Sequence, residues 1–129
     1  MVVDTSALMA IVLGEPERRR FLEAMEAAEV RLLSVGTRVE TGIVVEGRHG
    51  AEGARELERF LEQARIELVP VDAAQGYAAL EGFRLYGKGR HRAALNLGDC
   101  FSYALAITRG EPLLCKGDDF VHTDVALVC

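Results

Sequence analysis

Tryptophan is absent from the 129 residues, proline, cysteine and histidine occur three times each, and aromatic residues reach only 6%. Cys100, Cys115 and Cys129 are odd in number and widely spaced, which excludes a disulfide framework and a paired-cysteine zinc site. They read as reduced thiols of a cytoplasmic protein, two of them in apolar surroundings. His49, His91 and His122 lack metal-ligand spacing and read as loop or surface residues. No run of roughly 18 apolar residues occurs, so no membrane span is expected. The opening has no basic stretch and its apolar run breaks at Asp4, unlike a signal peptide. Positive charge is also short. Fifteen Lys and Arg face 20 Asp and Glu, a net −5, which disfavours a surface that binds polyanions everywhere but leaves room for a local basic patch or an acid-held cation. GxGxxG and Walker A glycine motifs are missing. Ser34 and Ser102 lack the Gly-x-Ser-x-Gly context of a hydrolase nucleophile.

What remains is foldable. Half of the residues are hydrophobic and 27% are charged, and a chain of this length can bury a core without disulfides. No linker or repeat divides it, so residues 1–129 are expected to form a single domain. Short apolar runs at 1–3, 30–33, 66–69 and 112–115 read as strands, with a last edge strand at 125–128. Helical stretches lie between them. One covers 6–13. The next starts near Pro16 and buries Phe21, Leu22 and Met25, with Arg18, Arg19 and Arg20 as a solvated face paired to partners such as Glu23. A third, capped by Ser34, runs to about Arg48 with Val35, Val39 and Ile43 as its inward stripe. After a break at Gly50, Ala54, Leu57, Leu61 and Ala64 mark an amphipathic helix. Asp72 caps another through about Tyr86. Residues 99–108 are apolar on nearly every side, so that helix should be central. Alternating strands and helices predict an α/β fold with a parallel sheet covered on both faces, and in such sheets ligands bind beyond the carboxyl ends of the strands.

The acids fall at those ends. Asp4 follows the first strand, Asp118 and Asp119 follow the strand at 112–115, Asp99 opens the central helix, and Glu40 lies on the helix after the second strand. Each has a purely structural alternative: Asp4 and Asp99 as helix caps, Asp118 and Asp119 as turn residues, Glu40 as a surface acid paired to Arg38 or Arg48. Asp99, however, precedes a very apolar run, and a buried charge needs a partner or a metal. Clustered carboxylates raise one another's pKa. A hard divalent cation such as Mg²⁺, or Mn²⁺, relieves that repulsion and suits a site without His or Cys. Such an ion can activate a water and neutralise a phosphodiester.

These residues also carry a resemblance. Val2-Val3-Asp4-Thr5-Ser6-Ala7-Leu8, Val39-Glu40-Thr41, Leu97-Gly98-Asp99-Cys100-Phe101-Ser102 and Leu113-Leu114-Cys115-Lys116-Gly117-Asp118-Asp119 resemble, in order and spacing, the four acidic motifs of PIN-domain ribonucleases, most closely the VapC type. The resemblance implies a three-layer α/β/α sandwich around a mainly parallel sheet of four to five strands. It implies a Mg²⁺-dependent endoribonuclease toxin of a type II toxin–antitoxin system that cuts RNA through a metal-activated water. It implies a VapB-type antitoxin, and commonly a homodimer that assembles with it into a heterotetramer or larger. Asp4, Glu40, Asp99 and Asp118 are carried over as catalytic, and Asp4, Asp99, Asp118 and Asp119 as metal-binding. Asp118 is favoured for the pocket over Asp119, which then supports the turn. A Thr5 or Ser6 hydroxyl is a candidate holder of a metal-bound water.

With a negative net charge, RNA needs local attraction. Lys88, Arg90, His91 and Arg92 form the densest basic loop and Lys116 sits beside the fourth acid, so Lys88, Arg90, Arg92 and Lys116 are candidate phosphate contacts; a merely solubilising loop is the alternative. With few free aromatics, RNA shape should count for more than stacking. The helices around Phe21 and Leu57 offer surplus apolar surface for sheet packing, an antitoxin or a dimer seam. Three rival readings are a receiver-like signalling domain, an aspartyl phosphatase, and a catalytically inactive PIN-like scaffold. The first fits the Glu40 position poorly. The second wants an acid where Ser6 stands. The third is at odds with four filled acidic positions.

Overall fold

The computed structural model describes residues 1–128; Cys129 lies outside the described residues. Among the described residues, nine elements alternate much as the sequence pattern predicts: β1 (Val2–Val3), α1 (Thr5–Val12), α2 (Arg18–Ala27), β2 (Leu32–Ser34), α3 (Val35–Gln63), β3 (Glu67–Val69), α4 (Ala73–Tyr86), α5 (Leu97–Arg109) and β4 (Leu113–Leu114). The strands pair in the order β3-β2-β1-β4 and every pairing is parallel. Because side chains alternate along a strand, Val3, Leu33 and Leu114 enter one core with α1, α2 and α3. Val2, Leu32 and Leu113 enter a second core with Ala79 of α4 and Leu105 of α5. The result is a three-layer α/β/α arrangement.

Caps set the helix starts. Asp4, Ser34 and Asp72 each accept a backbone N–H as N-caps of α1, α3 and α4, satisfying donors the first turn leaves free. α5 begins two residues earlier than the apolar run suggests, because Asn96 is its cap and Asp99 its third residue. The stretch at 125–128 forms a lone bridge, Leu113 to Leu127, instead of a full edge strand, so the sheet has four strands.

The break expected at Gly50 is present: its φ of 63 and ψ of −159 are non-helical, so α3 consists of two helical halves that meet at a kink. One difference concerns its first half. Its expected inward stripe faces outward: Val35, Val39 and Ile43 are 38%, 55% and 68% exposed, while Thr37, Thr41 and Val45 are buried. Both sets recur every four residues, so spacing alone does not choose between them. The inner set is polar at the start of α3 because that face meets the acids.

Among the described residues, no helix is long and apolar enough to cross a membrane.

Candidate active site

The parallel sheet brings the exits of β1, β2 and β4 to one edge. Asp4 leaves β1 there, held to β4 by its backbone N–H donating to Leu114 O at 3.0 Å. Its carboxylate is 4% exposed and is gripped on both oxygens. Oδ2 accepts from Ser6 N at 3.0 Å and Ser6 Oγ at 2.7 Å, and Oδ1 accepts from Ser102 Oγ at 2.6 Å. Ser6 Oγ also accepts from Lys116 N at 2.9 Å, so one hydroxyl links the first acid to the exit of β4.

Glu40 arrives on the inner face of α3 with Thr37 and Thr41. Its Oε1 accepts from Thr5 Oγ1 at 2.6 Å, and Thr41 Oγ1 lies 3.0 Å from Thr5 Oγ1. The carboxylate rests on Gly98, where a Cβ would overlap it and push it aside, so the missing side chain gives Glu40 its present position. Neither Arg38 nor Arg48 pairs with Glu40 in the structure. Arg38 reaches across the Gly50 kink to Glu58. Thr5 and Ser6, considered as holders of water, instead hold carboxylates.

Asp99 exchanges hydrogen bonds with Asn96 in a capping box, accepting from Asn96 N at 3.0 Å and donating its own N–H to Asn96 Oδ1 at 2.9 Å. It is 9% exposed. Burial pushes its pKa up to about 7; the Asn96 N–H opposes this, and the negative charges of Asp4, Asp119 and Glu40 raise it further. Acids from three other segments therefore act on Asp99. Of the two residues weighed for the fourth position, Asp119 is the one whose charge acts on Asp99. Its own carboxyl is raised by burial, by Asp4 and by Asp118. Asp118 and Asp119 are both exposed.

The basic candidates divide. Lys88, Arg90 and Arg92 are exposed on a turn closed by Lys88 N donating to Leu95 O at 2.9 Å, which leads straight into the cap of α5. The Arg90 guanidinium lies 5.5 Å from the Phe83 ring centre. The Lys116 ammonium is engaged elsewhere: it pairs with Glu15 and, at 3.3 Å, with Glu17 between α1 and α2. Sequence reasoning passed over Ser102, Thr37, Asn96 and Gly98. The available signal was helical spacing: Thr37 and Ser102 each stand three residues from an acid, on the same face.

Among the described residues, no three His, Cys, Asp or Glu side chains already stand close enough to ligate one ion. Asp4, Glu40 and Asp99 are each hydrogen-bonded to hydroxyl or N–H donors instead. Even so, the donors suit a hard cation. They are oxygens alone, and the unrelieved repulsion recorded at Asp99 is what a divalent charge removes. A groove of about 670 Å³ lies away from the acids, between α2 and the second half of α3, with Leu22, Met25 and Phe60 among Arg18, Arg31 and Arg65.

Over residues 1–126 the chain matches the PIN domain family. Ribonuclease VapC30 of Mycobacterium tuberculosis (strain ATCC 25618 / H37Rv) is 54% identical over 128 residues, spanning 99% of this chain and 98% of that protein. Among solved structures, the sarcin-ricin loop cleaving toxin VapC20 of Mycobacterium tuberculosis superposes with a TM-score of 0.78 at 19% identity, covering 98% of this chain and 97% of that one. VapBC2 from Rickettsia felis, bound to a DNA fragment from its promoter, gives 0.75 at 16% identity over 98% and 94%.

Proposed function

This chain belongs to the PIN domain family, and from that premise we propose that its acidic pocket is the active site of a VapC-type ribonuclease toxin, restrained by a VapB-type antitoxin. PIN-domain ribonucleases depend on metal; the ion proposed here is Mg²⁺, with Mn²⁺ as a substitute. The single observation that carries the reading is the convergence of acids on the start of α5. Ser102 bonds Asp4 at 2.6 Å, Gly98 carries the Glu40 carboxylate, and the buried Asp99 stands between Gly98 and Ser102 in the same helix, an arrangement that serves a reactive pocket better than a scaffold.

Asp4, Glu40, Asp99 and Asp119 would hold the ion, Asp119 taking the place the sequence favoured for Asp118. When bound, the ion supplies charge neutralisation at the phosphodiester and acidifies the attacking water. The chain's own residues do the rest. Ser6 and Ser102 fix Asp4, Thr5 fixes Glu40, and Asn96 fixes Asp99. In the metal-free pocket burial pushes the Asp99 carboxyl up to about 7, so taking up the ion there would release its proton. Lys88, Arg90 and Arg92 contact phosphates beside the pocket. Lys116, engaged by Glu15 and Glu17, anchors the loop that carries the fourth acid.

The α2–α3 groove, where Leu22, Met25 and Phe60 lie among Arg18, Arg65 and Glu26, fits an antitoxin segment that bears apolar and charged side chains. The exposed Val39 and Ile43 fit the seam of a homodimer, which with antitoxin would form a heterotetramer or larger. A cytoplasmic location accords with these partners.

Purified antitoxin-free protein, incubated with total cellular RNA and end-mapped, should make discrete cuts with Mg²⁺ and none with EDTA. Cuts that persist in EDTA would remove the metal-dependent reading. A folded, Mg²⁺-supplied protein that leaves all RNA intact would move the weight to the scaffold.

A further inference from the structure

Ser102 lies inside α5 with 0% exposure, and Thr37 lies inside α3 with 0% exposure. Neither carries a role in the reading above beyond the contact of Ser102 with Asp4. A serine hydroxyl has one proton to give. Ser102 Oγ is 2.6 Å from Asp4 Oδ1, and an ionised carboxylate only accepts, so that proton is committed to Asp4. The 3.1 Å contact between Ser102 Oγ and Thr37 Oγ1 is then oriented as well: Thr37 must donate to Ser102. The three groups form a one-way chain, Thr37 to Ser102 to Asp4, whose two hydroxyls are shut off from water.

A carboxylate offers roughly two acceptor sites on each oxygen. On Oδ2 of Asp4, Ser6 N and Ser6 Oγ fill both. On Oδ1, Ser102 fills one. The acceptor site left on Asp4 is therefore on Oδ1. Its direction is shared between Ser6, which holds Oδ2, and Ser102, which alone holds Oδ1; the aspartate torsion is soft enough to turn when the Oδ1 anchor is lost. Hydroxyls linked in sequence also polarise one another, so the far member affects the near one.

We infer that Ser102 is a positioning residue of the pocket, with Thr37 behind it, aiming the one free acceptor site of Asp4 at the divalent cation. The inference rests on the reading of the pocket as a cation site. Outer partners of this kind typically change metal affinity by about 10- to 100-fold when removed.

The test is calorimetric titration of Mn²⁺ into metal-free protein, comparing wild type with Ser102→Ala, Thr37→Val and the double variant, alongside steady-state RNA cleavage. Ser102→Ala should raise the Mn²⁺ Kd about tenfold and lower kcat while leaving KM for RNA within about twofold, a split that general loosening of the core would not produce. Thr37→Val, nearly the same shape, should shift Kd in the same direction by less. The double variant should be no worse than Ser102→Ala, since both break one chain. Wild-type Mn²⁺ affinity in Ser102→Ala, or additive losses in the double variant, would overturn the inference while leaving the nuclease reading intact. A wild-type chain that binds no Mn²⁺ would overturn the cation site and this inference together. If Ser102→Ala does not fold, Thr37→Val decides alone: an unchanged affinity refutes the chain.

Discussion

Asp99 shows how one carboxyl records its neighbourhood. Its ordinary pKa of 3.8 rises to about 7, first by burial and then by three nearby acids. Between those two values the folded, metal-free protein holds a proton there that the unfolded chain has released. That contribution to stability is full in acid and is lost as pH rises through about 7. A divalent cation binds the ionised form, so the rise in Tm on adding Mn²⁺ should grow from pH 5 to pH 8, measured by thermal denaturation at fixed total Mn²⁺. A rise that is constant with pH, or larger at pH 5, would contradict this. Cys100, next in the chain, has its thiol pushed up to about 11 by burial and the Asp99 charge, so it packs as an inert apolar residue. At this scale the acids themselves were legible, because carboxylates at strand exits and helix starts are visible in the sequence. Their supports were not. A serine beside an apolar run has the same appearance whether its hydroxyl faces a core or an acid, and only the crossing of α3 and α5 decides.

At the scale of elements, the four paired strands and the caps Asp4, Ser34 and Asp72 were readable to within a residue or two, while the Asn96 cap of α5 and the lone bridge at Leu127 were not. Apolar runs with flanking Asp, Ser and Pro identify the former. The faces of α3 were not readable. Val35, Val39 and Ile43 make the more hydrophobic stripe, yet Thr37 and Thr41 turn inward, because a helix that delivers Glu40 must line its inner face with hydroxyls for the acids to accept. The helix ends also hide a device. Arg31 Nε donates to Ala64 O at 2.7 Å, and its Nη1 donates to Met25 O at 2.8 Å and Ala28 O at 2.9 Å. One guanidinium thus serves carbonyls at the ends of α2 and α3, favoured also by the negative ends of both helices. Arg31→Ala should lower unfolding stability by about 2 kcal/mol or more, as charge-assisted bonds to carbonyls are lost. The check is urea denaturation with an unchanged m-value; a shift under about 0.5 kcal/mol would show that water replaces the arginine.

For the molecule as a whole, the net charge of −5 and the proposed substrate pull in opposite directions. The basic turn at 88–92 resolves this locally, since it ends at the cap of the helix that carries Asp99. If Arg90 and Arg92 touch phosphates, Arg90→Ala with Arg92→Ala should weaken binding of single-stranded RNA and flatten the slope of log K against log salt by about 1.4, or roughly 0.7 per lost contact. An unchanged slope, measured by fluorescence anisotropy from low to moderate salt, would return the turn to a solubilising role. The proposed docking surfaces, the α2–α3 groove and the exposed outer face of α3, are built from helices and not from the sheet that sets the site.

The central claim is that carboxylates from four separate segments form one cation-dependent cleavage site. The most direct measurement is RNA cleavage and Mn²⁺ binding on the same preparations of wild type, Asp4→Asn and Asp99→Asn, each shown to be folded. The account predicts that both variants lose cleavage by at least about 100-fold (~2.7 kcal/mol of transition-state stabilisation) and lose Mn²⁺ affinity with it. Folded variants that still cut at the wild-type rate, or that stop cutting while binding Mn²⁺ unchanged, would contradict it.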